Sequence, residues 1–466
     1  MFAYTNEPLR LEPLEPTLAT FEVKPRGNPD VVVILALSGG GSRAAYFASE
    51  VMLNLERVLL AGDKNLLDEV DAISSVSGGS LPGAYYCSSR DPDDPWSFTG
   101  PQRVWKESTV RHLMSKSYIW RWFGNLFWPA NIVRYWFTAF DRSDIMAQTF
   151  ADNLFDSPLT GINLTMGKLN PQRPCLLLNA TNATRSPKDG GDGDLPYGQV
   201  FSFTREDFTK LLGSEINTYS LARAVMASAT FSGVFPDMTL RDYRVDKARF
   251  LHVFDGGNSD NLGLVSAKRL IQEAEARTGS SRQCKYIVIC VDAYTEPRGV
   301  DRDEADPRSF VDRFLDTNFM DSIDALLTAN RWRVLLQFIQ EESEQEQLRM
   351  QMLSLNRQQK ALSEKERPVQ GLKEWVQSLR DTPPESAGLT QADWEPSSLG
   401  ERLLFWHIHF DDLQDQDLRA AVHEIPTSFS ISDEATEDLE RAARALVLGN
   451  QEMLDRVKQA LEPQPR

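Results

Sequence analysis

The sequence predicts an α/β fold: three α/β/α layers in which helices cover both faces of a mostly parallel sheet, with a helical insertion late in the chain. Two patterns carry this expectation. Apolar runs of strand length recur at Val31–Ile34, Cys175–Leu178 and Tyr286–Val291, and runs without polar alternation suit strands buried on both faces. Helical periodicity fills the gaps between them, and strand–helix alternation builds parallel sheets. A chain of 466 residues, 41% hydrophobic and 25% charged, has the size and composition for a large globular core.

The elements follow in order. Residues 1–28 are rich in Pro, Glu and Leu and read as an extended segment. The domain at 29–300 opens with the Val31 strand, which runs into Gly39-Gly40-Gly41. Ala44, Phe47, Ala48, Val51, Met52, Leu55, Val58 and Leu59 then share one helical face. A second strand, Val70–Val76, runs into Ser77-Gly78-Gly79-Ser80 and a helix with Pro82 in its first turn. Further strands are expected at Cys175–Thr181, Val200–Phe203, Arg249–Phe254 and Tyr286–Val291, with helices at Leu221–Ala227 and Leu264–Ala276. The loop Asp189–Asp194 lacks the terminal Glu of an EF-hand and reads as a turn. Residues 301–400 read as the helical insertion, with Leu348, Met352, Leu355 and Leu362 near heptad spacing. Residues 401–466 supply a last strand, Leu403–Phe410, and a helix over 433–461 that complete the domain.

Charge narrows the partners. A net charge of −17 argues against nucleic acid, whose binding rests on neutralising phosphates with Lys and Arg. Residues 101–140 depart from this balance. They hold Trp105, Trp120, Trp122, Trp128 and Trp136, and Arg103, Lys106, Arg111, Lys116, Arg121 and Arg134 face one acid, Glu107. Two readings stand: contact with an anionic membrane surface through 103–140, or a helical cap whose aromatics are core. No secretory signal or apolar run of spanning length is evident, so a cytoplasmic or peripheral-membrane location is expected. Cys87, Cys175, Cys284 and Cys290 show no metal-ligand spacing and read as free buried thiols. No metal or cofactor is expected.

Three glycines between a strand and a helix present unpaired amides at the positive end of the helix dipole, which makes an anion site. The anion is a phosphate or an acyl-transfer oxyanion. A P-loop would need Gly-Lys-Ser/Thr, and the dinucleotide pattern fails at Ser42-Arg43-Ala44. Ser77 sits at a second strand-to-helix turn among small residues, the logic of a nucleophile elbow, although Ser75 replaces its first glycine. Asp255-Gly256-Gly257 places a carboxylate at another strand end.

Taken together, Ser38-Gly39-Gly40-Gly41-Ser42-Arg43, Val76-Ser77-Gly78-Gly79-Ser80, Ala227–Phe231 with Phe235-Pro236, and Asp255-Gly256-Gly257 resemble the patatin-like phospholipases, which are related in their site to the cytosolic phospholipases A. The resemblance covers roughly residues 30–295 and departs at Ser75 and at the insertion. It implies a Ser–Asp dyad hydrolase of phospholipid or other lipid esters, with no histidine in the pair. Ser77 is then the nucleophile and Asp255 the base, while amides of Gly39, Gly40, Gly41 and Gly78 receive the oxyanion. Arg43 is placed to hold a lipid phosphate, and Asn258, Asp260 and Asn261 to fix the Asp255 loop. His252, three residues before Asp255 on a strand, points to the opposite face and reads as structural. A non-catalytic lipid- or partner-binding relative, and an acyltransferase using the same acyl-enzyme, remain open alternatives.

Overall fold

The computed structural model describes residues 5–10, 16–60, 64–92, 103–156, 163–185, 194–231, 234–278, 284–295, 327–338 and 402–462. The chain divides into two compact units, Met1–Leu335 with Leu404–Arg466, and Leu336–Leu403. Nearly all of the second unit, including the Leu348–Leu362 stripe, lies outside the described residues, as does most of the Asp189–Asp194 loop. In the first unit, residues 327–335 are helical.

The sheet has eight strands: β1 Val31–Leu37, β2 Ala72–Val76, β3 Cys175–Asn182, β4 Val200–Ser202, β5 Met238–Asp242, β6 Arg249–Asp255, β7 Lys285–Asp292 and β8 Leu403–His409. Their order is β8-β7-β1-β2-β3-β6-β5, with β4 also on β3. β1 runs parallel to β7 and β2, and β2 parallel to β3. β4 and β6 join β3 antiparallel, and β5 joins β6 antiparallel. The architecture is the expected three-layer α/β/α sandwich with a mixed, mostly parallel sheet.

β1 shows why an unbroken apolar run suits this position. Val31, Val33, Leu35 and Leu37 join the main core, while Val32, Ile34 and Ala36 are equally buried on the other face. Helix α1, Gly41–Glu56, is buried along nearly its whole length, and so is α2, Ser80–Ser88. Its Glu50 is 0% exposed and takes two charge-assisted bonds from Arg111, at 2.7 and 2.9 Å. An unpaired carboxylate there would be prohibitively costly, so Arg111 anchors helix α3, Glu107–Met114, to α1.

Two expectations change here. The C-terminal helix is two helices, Asp433–Leu448 and Gln451–Leu461, separated at Gly449-Asn450. Asn450 caps the second, its side chain accepting from the Met453 amide. The 103–140 segment divides between its two readings. Trp105, Tyr118 and Trp122 are core. On α4, Tyr118–Leu126, on α5, Pro129–Phe137, and at the junction between them, the aromatics Trp120, Phe127, Trp128, Trp136 and Phe137 face solvent, Trp136 at 74% and Phe137 at 82% exposure. Arg103 and Arg111 are not part of that surface: Arg103 is buried and Arg111 serves Glu50. All four cysteines are buried and no disulfide joins them, and no helix among the described residues is long and apolar enough to cross a membrane.

Candidate active site

Ser77 follows the extended Val76 and opens a short 3₁₀ turn, Ser77–Gly79. Its φ of 49° is the one positive value at a non-glycine among the described residues. Such a conformation costs of order 1–3 kcal/mol and persists only where the surroundings impose it. Here the Ser77 amide donates to Ser228 Oγ at 3.0 Å, and Ser228 in turn donates to the Asn179 carbonyl at 2.6 Å. Ser80 Oγ lies 3.0 Å from Ser228 Oγ and donates to Ser75 Oγ at 3.2 Å. The serine that replaces the elbow glycine is therefore accommodated, its hydroxyl joining a buried chain of hydroxyls. Ser228, within the helix Leu221–Ser228, belongs to a quoted motif but carried no assigned role.

Asp255 ends β6, the strand end expected of it. β6 is antiparallel to β3, so the rule that ligands collect at the carboxyl ends of parallel strands does not apply to it. The register does the work instead. β6 overlaps only the last residues of β3, with Asp255 opposite Ala180, one step beyond the level where Val76 pairs with Asn179. That brings Asp255 beside the end of β2. Ser77 Oγ donates to Asp255 Oδ2 at 2.8 Å, across 178 positions of sequence.

The other carboxylate oxygen, Oδ1, accepts the Gly257 amide at 2.8 Å. Asp255 is 5% exposed. Burial pushes its pKa up to about 6, against smaller opposing contributions from the Gly257 amide and the Ser77 hydroxyl. The loop after it is fixed from several sides. Asp260 accepts the amides of Leu262, Gly263 and Val265. The Asn258 side chain donates to the Asp255 carbonyl at 3.1 Å. Asn330, outside every sequence motif, donates to the carbonyls of Asn258 and Ser259 at 3.1 and 2.7 Å.

The glycine loop lies against this pair. Gly40 has φ 136°, open to glycine alone at little cost. At Gly78 a Cβ would fall 2.1 Å from the Gly41 carbonyl oxygen, so the two turns meet backbone to backbone. Gly39 departs from its expected role, since its amide donates to the Asn261 carbonyl at 2.9 Å. Gly40, Gly41 and Gly78 are left as the candidate oxyanion donors.

Arg43 also departs from expectation. It is buried, and its guanidinium donates to the carbonyls of Ala293 and Ile425 at 2.9 and 2.5 Å and to Thr427 Oγ1 at 3.0 Å. These bonds make it a strut between the start of α1 and the 425–427 segment rather than a free phosphate ligand. The next residue walls the glycine loop, because the Ser428 carbonyl accepts the Ser42 amide at 2.8 Å.

Ser77 and Asp255 open onto one cavity of about 620 Å³. Much of its lining is apolar, with Met114, Met146, Phe150, Met226 and Phe235 among the residues. Its histidine is His423, which the sequence reasoning passed over; His423 Nε2 lies 3.0 Å from Asp411 Oδ1. His252 points elsewhere, with Nδ1 2.6 Å from Asp237 Oδ2. The hydrogen bonds of the Ser77–Asp255 pair involve no histidine.

A family model described as patatin-like phospholipase matches residues 35–268, half of the chain. The chain belongs to the patatin-like phospholipase family. No curated protein sequence matches it. Among solved structures, human GIVD cytosolic phospholipase A2 is similar at 12% identity and a TM-score of 0.43, covering 92% of this chain and 60% of that one. VipD from Legionella pneumophila is similar at 12% identity and a TM-score of 0.33, covering 96% of this chain and 72% of that one. This patatin-like chain thus spans about 60% of the length of the human phospholipase.

Proposed function

We propose that this protein is a lipid acyl hydrolase of phospholipase A or lysophospholipase type, working through a Ser77 acyl-enzyme. The observation that carries the reading is the 2.8 Å hydrogen bond from Ser77 Oγ to the buried Asp255 carboxylate. A carboxylate in water is too weak a base for this role near neutral pH, with a reference pKa of about 3.9. Burial brings Asp255 to about 6, close to the working range.

Asp255 takes the proton as Ser77 Oγ attacks the ester carbonyl. The tetrahedral oxyanion falls to the amides of Gly40 and Gly41 at the α1 N-terminus and of Gly78 in the neighbouring turn. Protonated Asp255 then gives its proton to the leaving alcohol. Water attacks the acyl-enzyme with Asp255 again as base, and the fatty acid departs. A fluorophosphonate probe is expected to label Ser77, with no labelling in Ser77→Ala; an adduct on Ser42 or Ser80 would reject the assignment.

The exposed aromatics of α4 and α5, with Arg121 and Arg134 among them, form the surface proposed to rest on an anionic lipid layer. Tyr118, at the start of α4, lines the cavity, so a lipid drawn from that layer has a short path to Ser77. Trp120→Ala with Trp136→Ala is expected to weaken sedimentation with phosphatidylglycerol vesicles. Unchanged sedimentation would remove this surface from the reading.

A further inference from the structure

Two basic side chains line the catalytic cavity, Arg43 and Lys116. They differ in what already holds them. Arg43 is tied to Ala293, Ile425 and Thr427. Lys116 lies in the turn between α3 and α4 with its side chain half-buried. Among the described residues no carboxylate pairs with it. The groups that act on it are its own burial, first, and the neighbouring Arg121; both lower its pKa. A partly desolvated ammonium beside a second cation is an electrostatic vacancy for an anion. Lysine answers such a need as a compact point charge toward phosphate.

Its place along the chain adds the second argument. Lys116 sits two residues before Tyr118, where α4 begins, and four before Trp120, the first of the solvent-facing aromatics. Apolar lining suits an acyl chain and Ser77 faces the ester, so a charged head group belongs by a cation of the same cavity.

We propose that Lys116 is the head-group contact of the site: its ammonium receives the phosphate of a phospholipid whose acyl ester lies at Ser77, selecting phosphate-bearing lipid esters over neutral glycerides. This rests on the acyl-hydrolase reading and adds to it a residue that fixes substrate class. No proton or covalent bond is exchanged at Lys116.

The test uses the full chain with 1-oleoyl lysophosphatidylglycerol and monoolein in the same neutral detergent micelles, reading released oleate. The two lipids share an acyl chain and differ in the phosphate. Lys116→Met is expected to lower the ratio of the two kcat/KM values, phospholipid over monoolein, by about tenfold, mainly through KM for the phospholipid. Lys116→Arg is expected to keep most of that ratio, since the charge remains. An unchanged ratio in Lys116→Met overturns the assignment, as does a wild type that cleaves monoolein but not the phospholipid. A wild type inert toward both lipids, with Ser77 unlabelled by fluorophosphonate, defeats the acyl-hydrolase reading itself.

Discussion

Asp255 and Asp292 end strands on opposite sides of β1, and both are almost completely buried. They ionise in opposite directions. Asp255 receives one hydroxyl and one amide, and burial lifts its pKa to about 6. Asp292 receives Arg331 through Nε at 2.7 Å and Nη2 at 2.5 Å, and His407 Nε2 lies 3.0 Å from the same oxygen. These partners outweigh its burial and hold its carboxyl well below the usual range. Burial alone therefore does not set the role of a carboxylate. Neutral donors leave Asp255 poised to take a proton, whereas the Arg331 guanidinium fixes Asp292 as a charge that secures the 327–335 helix.

Exchanging each aspartate for asparagine separates the two roles most sharply. Asp255→Asn is expected to lower kcat by at least about 10⁴-fold, since losing the triad aspartate of serine proteases, which only orients the base, already costs that much, with little change in thermal unfolding. Asp292→Asn should act on the fold, because it leaves Arg331 charged and buried. Chemical denaturation is expected to show a loss of about 3–5 kcal/mol. Retained hydrolysis in the first variant, or unaltered stability in the second, would break the contrast.

The pH dependence sharpens it. The base must be deprotonated, so kcat/KM is expected to rise with pH along an acid limb whose midpoint lies near the Asp255 value of about 6. A midpoint near 4 would place that carboxylate in water and erase the difference between the two aspartates. A smaller effect is expected at Asn330, which holds the Asp255 loop through two carbonyls. Asn330→Ala should lower kcat about three- to tenfold, the worth of one or two hydrogen bonds.

The smallest effect belongs to His252, whose pKa is raised by its hydrogen bond to Asp237. The pair is largely exposed, so His252→Gln should cost less than about 1 kcal/mol. Because the folded-state pKa is raised, that contribution is fully present below the unfolded value of about 6.5 and is lost as pH rises through the folded value. Denaturation curves at two pH values on either side of this range, with hydrolysis followed in parallel, check both its size and its sign.

The β1–glycine–α1 unit was legible because its cues are local: an apolar run, three glycines and one helical face within thirty residues. Ser77 and Asp255 were each visible as turn residues, but their meeting depended on the family resemblance, since no local pattern joins positions so far apart. The antiparallel course of β6 was not visible. Strand direction is a property of pairing partners, and Arg249–Asp255 carries none of their identity. Arg43 misled for a similar reason, because its partners lie some 380 positions downstream in the 425–427 segment. The Asp292–Arg331–His407 cluster had one usable sign. An aspartate directly after the apolar run Tyr286–Val291 must carry its charge into the core or find a cation there.

The 425–431 strip leans on the glycine cradle from more than 380 positions downstream. Ser428 and Ser430 carbonyls hold Ser42, and the Ile425 carbonyl holds Arg43. During synthesis, Ser77 and Asp255 leave the ribosome before residues 425–431 do. A nascent chain therefore carries the proposed pair before it carries this rim of their pocket, which postpones competence until residues 425–431 have been made.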